Sequence, residues 1–237
     1  MDSLGTQITG HLQKVDAERR RRRASPDLGT AVQRIKDFQH RRFKHTYADL
    51  LAQPRYARAA RFFLDELYGP HDFTQRDAQF ARIVPALVRL FPHEIVGTVA
   101  DLAALHALSE ELDSVMAERH GPAPLTGAGY AVAWRMVGRA ADRERQIVLM
   151  QTIGGALERY TANPLLRHSL RMMRKPAQLA GLGALQQFLE TGFDTFRELR
   201  GAAAFLQTIS DRERALVAAL FAANVDLPAD FEAAASP

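Results

Sequence analysis

Residues 93 to 119 read as one long helix whose apolar side carries Ile95, Val99, Leu102, Leu105, Leu112 and Met116. At about 100° per residue, His106, Ser109 and Asp113 fall on that same side. A histidine and a carboxylate on a buried face must find polar partners. They form either a satisfied structural network or the lining of a cavity in which an imidazole and a carboxylate meet a ligand, as a proton-transferring pair would. A second helix after residue 143 marks its buried side with Ile147, Met150, Gly154 and Leu157, and Gln151 and Glu158 lie in the same arc. If the two helices face each other across the small Gly154-Gly155-Ala156 surface, His106, Asp113, Gln151 and Glu158 surround one internal polar pocket. These four are the ligand-binding candidates.

Other chemistries lack their spacing. No Glu-x-x-His or His-x-x-x-His occurs, so the paired ligands of di-iron bundles and zinc hydrolases are missing, and His106 with Glu110 is a single i, i+4 pair. No metal and no cofactor is expected. There is no Gly-x-Ser-x-Gly elbow, no phosphate-binding Gly-x-x-x-x-Gly-Lys loop and no dinucleotide fingerprint. No catalytic residue can be named, and an enzyme or cofactor protein built around His106 and Asp113 stands as one alternative.

Arginine supplies the other candidates. Arg19 to Arg23 end the first helix, while Arg135, Arg139 and Arg143 (i, i+4, i+8) and Arg167, Arg171 and Arg174 (i, i+4, i+7) form two stripes that could grip phosphates. An arginine-dependent nucleic-acid or polyanion binder is therefore the second alternative, though not the favoured one. The corner Tyr68-Gly69-Pro70-His71-Asp72 adds Tyr68, His71 and Asp72 as loop candidates, because they precede a helix N-terminus that can attract anions. The competing explanation is plain: Gly-Pro stops one helix, and Asp72 and Thr74 cap the next.

The elements that position these residues are helices throughout. Apolar residues recur at helical spacing, no run alternates with period two, and the fold class is all-α: a single-domain bundle of about nine or ten helices, packed partly orthogonally. Ser25-Pro26 and Asn163-Pro164 are cap-plus-proline starts. Thr74 with Asp77 and Ser210 with Glu213 read as capping boxes. A second helix is expected to run to about Ala52, Pro85 to kink the helix it lies in, and Lys175-Pro176 to break the chain. Residues 1–25 form a basic helix or arm, 26–228 the helical domain with a sub-boundary at the breaker cluster near 121–127, and 229–237 a frayed tail.

Composition sets the outer limits. With 237 residues, 47% of them hydrophobic, the chain can bury a sizeable core. Cysteine is absent, which excludes disulfides and thiolate chemistry. No secretory signal or membrane span is read, so a cytoplasmic protein away from membranes is expected. Net charge alternates along the chain, about +7 over residues 1–60, −5 over 61–120, +6 over 121–180 and −4 over 181–237. The favoured explanation is pairing of basic with acidic segments inside the fold, ahead of one positive surface.

The stretch FFLDELYGPHDFTQRDAQFARIVPALVRLFP, from Phe62, and MRKPAQLAGLGALQQFLETGFDTFREL, from Met173, resemble a family of uncharacterised, all-helical bacterial proteins. The resemblance spans roughly Lys44 to Glu213 and implies the fold class and a bacterial cytoplasmic origin, with no activity or site residue to carry over. The sequence as a whole reads as a helical binding or interaction protein, with a homodimer as one expected assembly, that holds a small molecule or a protein in an apolar cavity or groove.

Overall fold

The chain doubles back on itself at short, capped corners, and the long helix α6 (His93–His120) is the rod on which the others assemble. A computed structural model describes residues 3–67, 73–222 and 231. Within them the fold is all-α. Helices α1 (Leu4–Ala24), α2 (Pro26–Thr46), α5 (Thr74–Leu90), α6, α7 (Gly127–Val137), α8 (Ala140–Thr161), α9 (Pro164–Met172), α11 (Gly183–Leu199) and α12 (Ala203–Phe221) are the nine longer ones. Three short helices, α3 (Ala48–Ala52), α4 (Ala57–Phe62) and α10 (Arg174–Leu179), and a π-helical turn at Phe63–Leu67 join them. The expectation of nine or ten helices counted the long ones and missed most of the short connectors. Tyr68, His71 and Asp72, the frayed tail apart from Phe231, and the Gly-Pro corner lie outside the described residues.

Helix α6 packs against α1, α2, α7 and α8. Ile8, Leu12 and Val15 bury one face of α1, and the first two join Val84 and Leu87 of α5 and Val96, Ala100 and Ala103 of α6 in one apolar cluster. A second cluster gathers Val32, Ile35 and Phe38 of α2 with Met116, Tyr130, Trp134, Leu220 and Phe231. A third joins Phe43, Tyr47, Phe62 and Phe63 to Met150 of α8, Phe196 of α11 and Phe205, Leu206 and Ile209 of α12. The three clusters leave room between them, and the candidate site occupies that room.

Some capping expectations hold. Asn163 accepts from the Leu165 amide at 2.9 Å, and Pro26 opens α2 after Ser25; Pro85, where a kink is expected, lies within the continuous span of α5. Others are corrected. Phe73, not Thr74, occupies the N-cap of α5. Ser210 is fully buried in the middle of α12, which starts seven residues earlier at Ala203. A capping-box pattern is only local, and burial of Ile209 and Leu206 makes the longer helix more favourable than a start at Ser210. The second helix stops at Tyr47, which is fully buried, and α10 forms across Lys175-Pro176, with the proline in its first turn where no amide is needed. Phe91, at the C-cap of α5, is 47% exposed.

Candidate functional site

A cavity of about 210 Å³ lies between α2, α5, α6, α7, α8, α11 and α12. One part of its wall is apolar, with Val99, Leu102 and Leu105 of α6, Ile147 and Met150 of α8 and Phe188 of α11. The remainder carries polar groups, which make up the smaller share of the lining.

His106 and Asp113 of α6 both line it. His106 Nε2 lies 2.8 Å from Asp77 Oδ2, which also receives Arg19 Nη2 at 2.7 Å. Burial raises the Asp77 pKa, but the His106 hydrogen bond and the charges of His106, Arg19 and Arg76 outweigh it and hold the carboxyl below its ordinary value. An ionised Asp77 can only accept, so Nε2 of His106 carries the donated proton. The aspartate read as a partner for a helix cap is thus the anchor of the cavity histidine.

One turn along α6, Glu110 is 4% exposed and is bracketed by Arg22 and by Lys36, whose Nζ is 2.7 Å away. Burial pushes its pKa up, yet Lys36 and Arg22 bring it down to about 2. Asp113 is different. Its Oδ1 accepts from Gln39 Nε2 at 3.1 Å, the same amide reaches Tyr130 Oη at 3.2 Å, and Lys36 stands 4.0 Å off. Burial here outweighs Lys36, and Asp113 is held above the usual carboxylate range.

The far wall carries the least compensated charge. Arg143 is 5% exposed, and its guanidinium lies over the Trp134 ring with the central carbon 3.8 Å from the centroid. Nη1 donates to Gln146 Oε1 at 3.2 Å, and Gln146 Nε2 in turn donates to Ser109 Oγ at 2.8 Å. Nε and Nη2 of Arg143 and Nε1 of Trp134 are buried without a hydrogen-bond partner. On the neighbouring wall, Arg42 pairs with Glu213, which also accepts from Tyr47 Oη at 2.7 Å.

The sequence-based candidates divide. His106 and Asp113 share the cavity; Gln151 and Glu158 do not line it. Gln151 Oε1 accepts from Arg214 Nη2 at 3.3 Å, and Glu158 Oε1 accepts from the Ala202 amide at 2.9 Å, which ties α8 to the start of α12. The reason is helix rotation: Gly154 faces Leu206 of α12, where a Cβ would lie 2.6 Å from a Leu206 methyl, so the small surface admits α12 and not α6.

The arginine stripes are also dispersed. Gly138 and Arg139 both take positive φ between α7 and α8, which breaks the first stripe. Arg135 donates to the Leu220 carbonyl at 3.3 Å, Arg139 pairs with Glu111 and Asp142, and Arg143 turns inward. In the second stripe, Arg167 and Arg171 converge on Asp194 and Arg174 pairs with Glu190. Together with Arg19–Asp77 and Arg22–Glu110, these pairs join basic to acidic segments, as the alternating charge suggests.

Sequence reasoning missed Lys36, Gln39 and Arg42, which α2 contributes, and Gln146. The signal for two of them was available, because Gln39 and Arg42 are interleaved with Ile35, Phe38 and Phe43 on an otherwise buried face. Among the described residues no group of three or more His, Asp or Glu is arranged to hold a metal ion, and no helix is long and apolar enough to cross a membrane.

The chain belongs to the DUF8198 family, a domain of unknown function, which matches residues 18–227. No curated protein and no solved structure matches it.

Proposed function

We propose that this chain is a small-molecule-binding protein whose ligand sits in the interhelical cavity between α6 and α8. The single observation that carries the reading is the pairing of about 210 Å³ of space with a wall that holds His106, Asp113 and Arg143 on the polar side and aliphatic residues on the other. Ligand sites have this character, with mostly apolar walls and a few convergent polar groups that fix orientation. A core optimised only for stability would fill such a space, because voids forfeit packing energy and buried unpaired charge is costly. A cavity of roughly 150 Å³ is enough for benzene, so a ligand with a single ring or a short chain matches the volume.

A thermal-shift screen of small polar-apolar fragments tests this on the full chain beside Ser109→Phe, which places a ring in the cavity. Fragments that raise the melting temperature of the parent chain and lose that effect in the variant are expected. Val99→Phe, filling the apolar end, guards against misfolding of the first variant. Fragment shifts that persist undiminished in both folded variants would contradict the reading.

A further inference from the structure

The other cations around the cavity each touch a carboxylate: Arg42 meets Glu213, Arg76 meets Glu66, and Lys36 and Arg22 share Glu110. Arg143 is the exception among the described residues. Its only side-chain hydrogen bond is to the neutral amide of Gln146, and its Nε and Nη2 edge has no partner. Asp113 and Asp142 act on it through space without contact. Asp142 is already engaged by Arg139 at 2.6 Å, and Asp113 accepts from Gln39 at 3.1 Å and faces Lys36 at 4.0 Å. A guanidinium remains protonated at neutral pH even when burial lowers its pKa, so this wall carries positive charge that is not locally neutralised.

The unpaired edge has a specific shape. Nε and Nη2 present two parallel N–H donors, the fork that fits the two oxygens of a carboxylate. The guanidinium lies over the ring of Trp134, whose own Nε1–H is a further buried donor without an acceptor. Along the same face of α8, at i+4 and i+7 from Arg143, Ile147 and Met150 line the cavity and continue into the aliphatic wall of Leu102 and Leu105. Arg143 and Trp134, which carry these donors, line the same cavity as this apolar surface.

We propose that the Nε and Nη2 edge of Arg143, with the Trp134 indole N–H, is the carboxylate-binding end of the cavity, and that the ligand is a small monocarboxylate with an apolar, ring-sized body. The proposal rests on the reading of the cavity as a ligand site. A bound carboxylate supplies acceptors to buried donors and a counter-charge to the cavity-lining cation that, among the described residues, touches no carboxylate. Its apolar body covers Ile147, Met150 and Leu102.

Isothermal calorimetry on the full chain with benzoate, benzyl alcohol and inorganic phosphate tests both layers. Benzoate is expected to bind at least about tenfold more tightly than benzyl alcohol, as a charge-assisted fork does over a neutral hydroxyl. In Arg143→Met that preference should vanish. This variant is expected to fold, since removing an uncompensated buried charge does not expose another; circular dichroism checks it. Trp134→Phe keeps the ring and should lose part of the benzoate preference. Equal binding of benzoate and benzyl alcohol to the parent chain overturns the carboxylate assignment alone. Phosphate as tight as benzoate overturns the apolar body, and failure of all three probes to bind overturns the cavity reading beneath both.

Discussion

His106 Nε2 donates to Asp77 Oδ2 at 2.8 Å, joining the middle of α6 to the first turn of α5. Because Arg19 and Arg76 reach the same carboxylate, Asp77 is the common acceptor for three helices' side chains. Removing it leaves the partly buried Arg19 and an imidazole without that acceptor, while Arg76 keeps Glu66. Asp77→Ala should destabilise the chain by about 2–4 kcal/mol, more than the ~1 kcal/mol of a lost helix cap. Urea denaturation beside Asn163→Ala, which removes an observed cap, separates the two roles; equal, small losses would return Asp77 to a capping residue.

Acid should unfold the protein chiefly through Glu110. Its folded pKa of about 2 lies below the ordinary 4.5, so its contribution is present above pH 4.5 and is lost as pH falls toward 2. The full linkage is about 3 kcal/mol. Asp77, also lowered, acts in the same direction. Glu110→Gln should therefore flatten stability between about pH 5 and 2. Asp113 has the opposite sign: its folded pKa is raised, so its stabilisation is complete below its ordinary value of 3.8 and fades as pH rises. Asp113→Asn, which retains an acceptor for Gln39, should raise the melting temperature near neutral pH.

Adjacent glycines should respond oppositely. A Cβ on Gly154 meets Leu206 methyls at 2.6 and 2.7 Å, whereas one on Gly155 meets nothing closer than the end of Arg159 at 4.0 Å. Gly154→Ala is expected to cost about 1–3 kcal/mol through overpacking of α8 on α12. Gly155→Ala should stabilise by about 0.5–1 kcal/mol, because the helix interior favours alanine. Similar effects at both sites, measured by chemical denaturation, would contradict the register of α8.

The buried Arg42 pairs with the half-buried Glu213 between α2 and α12. Glu213→Leu leaves the guanidinium buried and unpaired and should cost about 3–5 kcal/mol, while the double change Arg42→Met with Glu213→Leu should recover most of it. A double-mutant cycle with no coupling would place this pair outside the packed interior.

What could be read from sequence was set by how local its physics is. Helical periodicity and proline starts are local, so the all-α fold, the extent of α6 and the Asn163 cap were legible. His106 and Asp113 were also legible as polar residues on a buried face, because one helix's own stripe marks them. Which surface meets that stripe depends on helix rotation. Gln151 and Glu158 share an arc with Met150 in sequence, yet the contact of Gly154 with Leu206 turns them toward Arg214 and the Ala202 amide. Arg143 was legible as a cation but not as an inward one, since the break at Gly138 and Arg139 that redirects it depends on two left-handed residues, one of them not glycine. Asp77 looked like a cap because a carboxylate near a helix start usually is one; its partners come from helices some 30 and 60 residues away in sequence.

The central claim is that the cavity between α6 and α8 takes a small molecule, and a crystal structure of the full chain grown in saturating benzoate tests it most directly. Density for one ring against Ile147 and Met150, with its carboxylate within hydrogen-bond reach of Arg143, is the predicted result. A cavity filled only with water at that concentration, or benzoate bound solely on the outer surface, would contradict it.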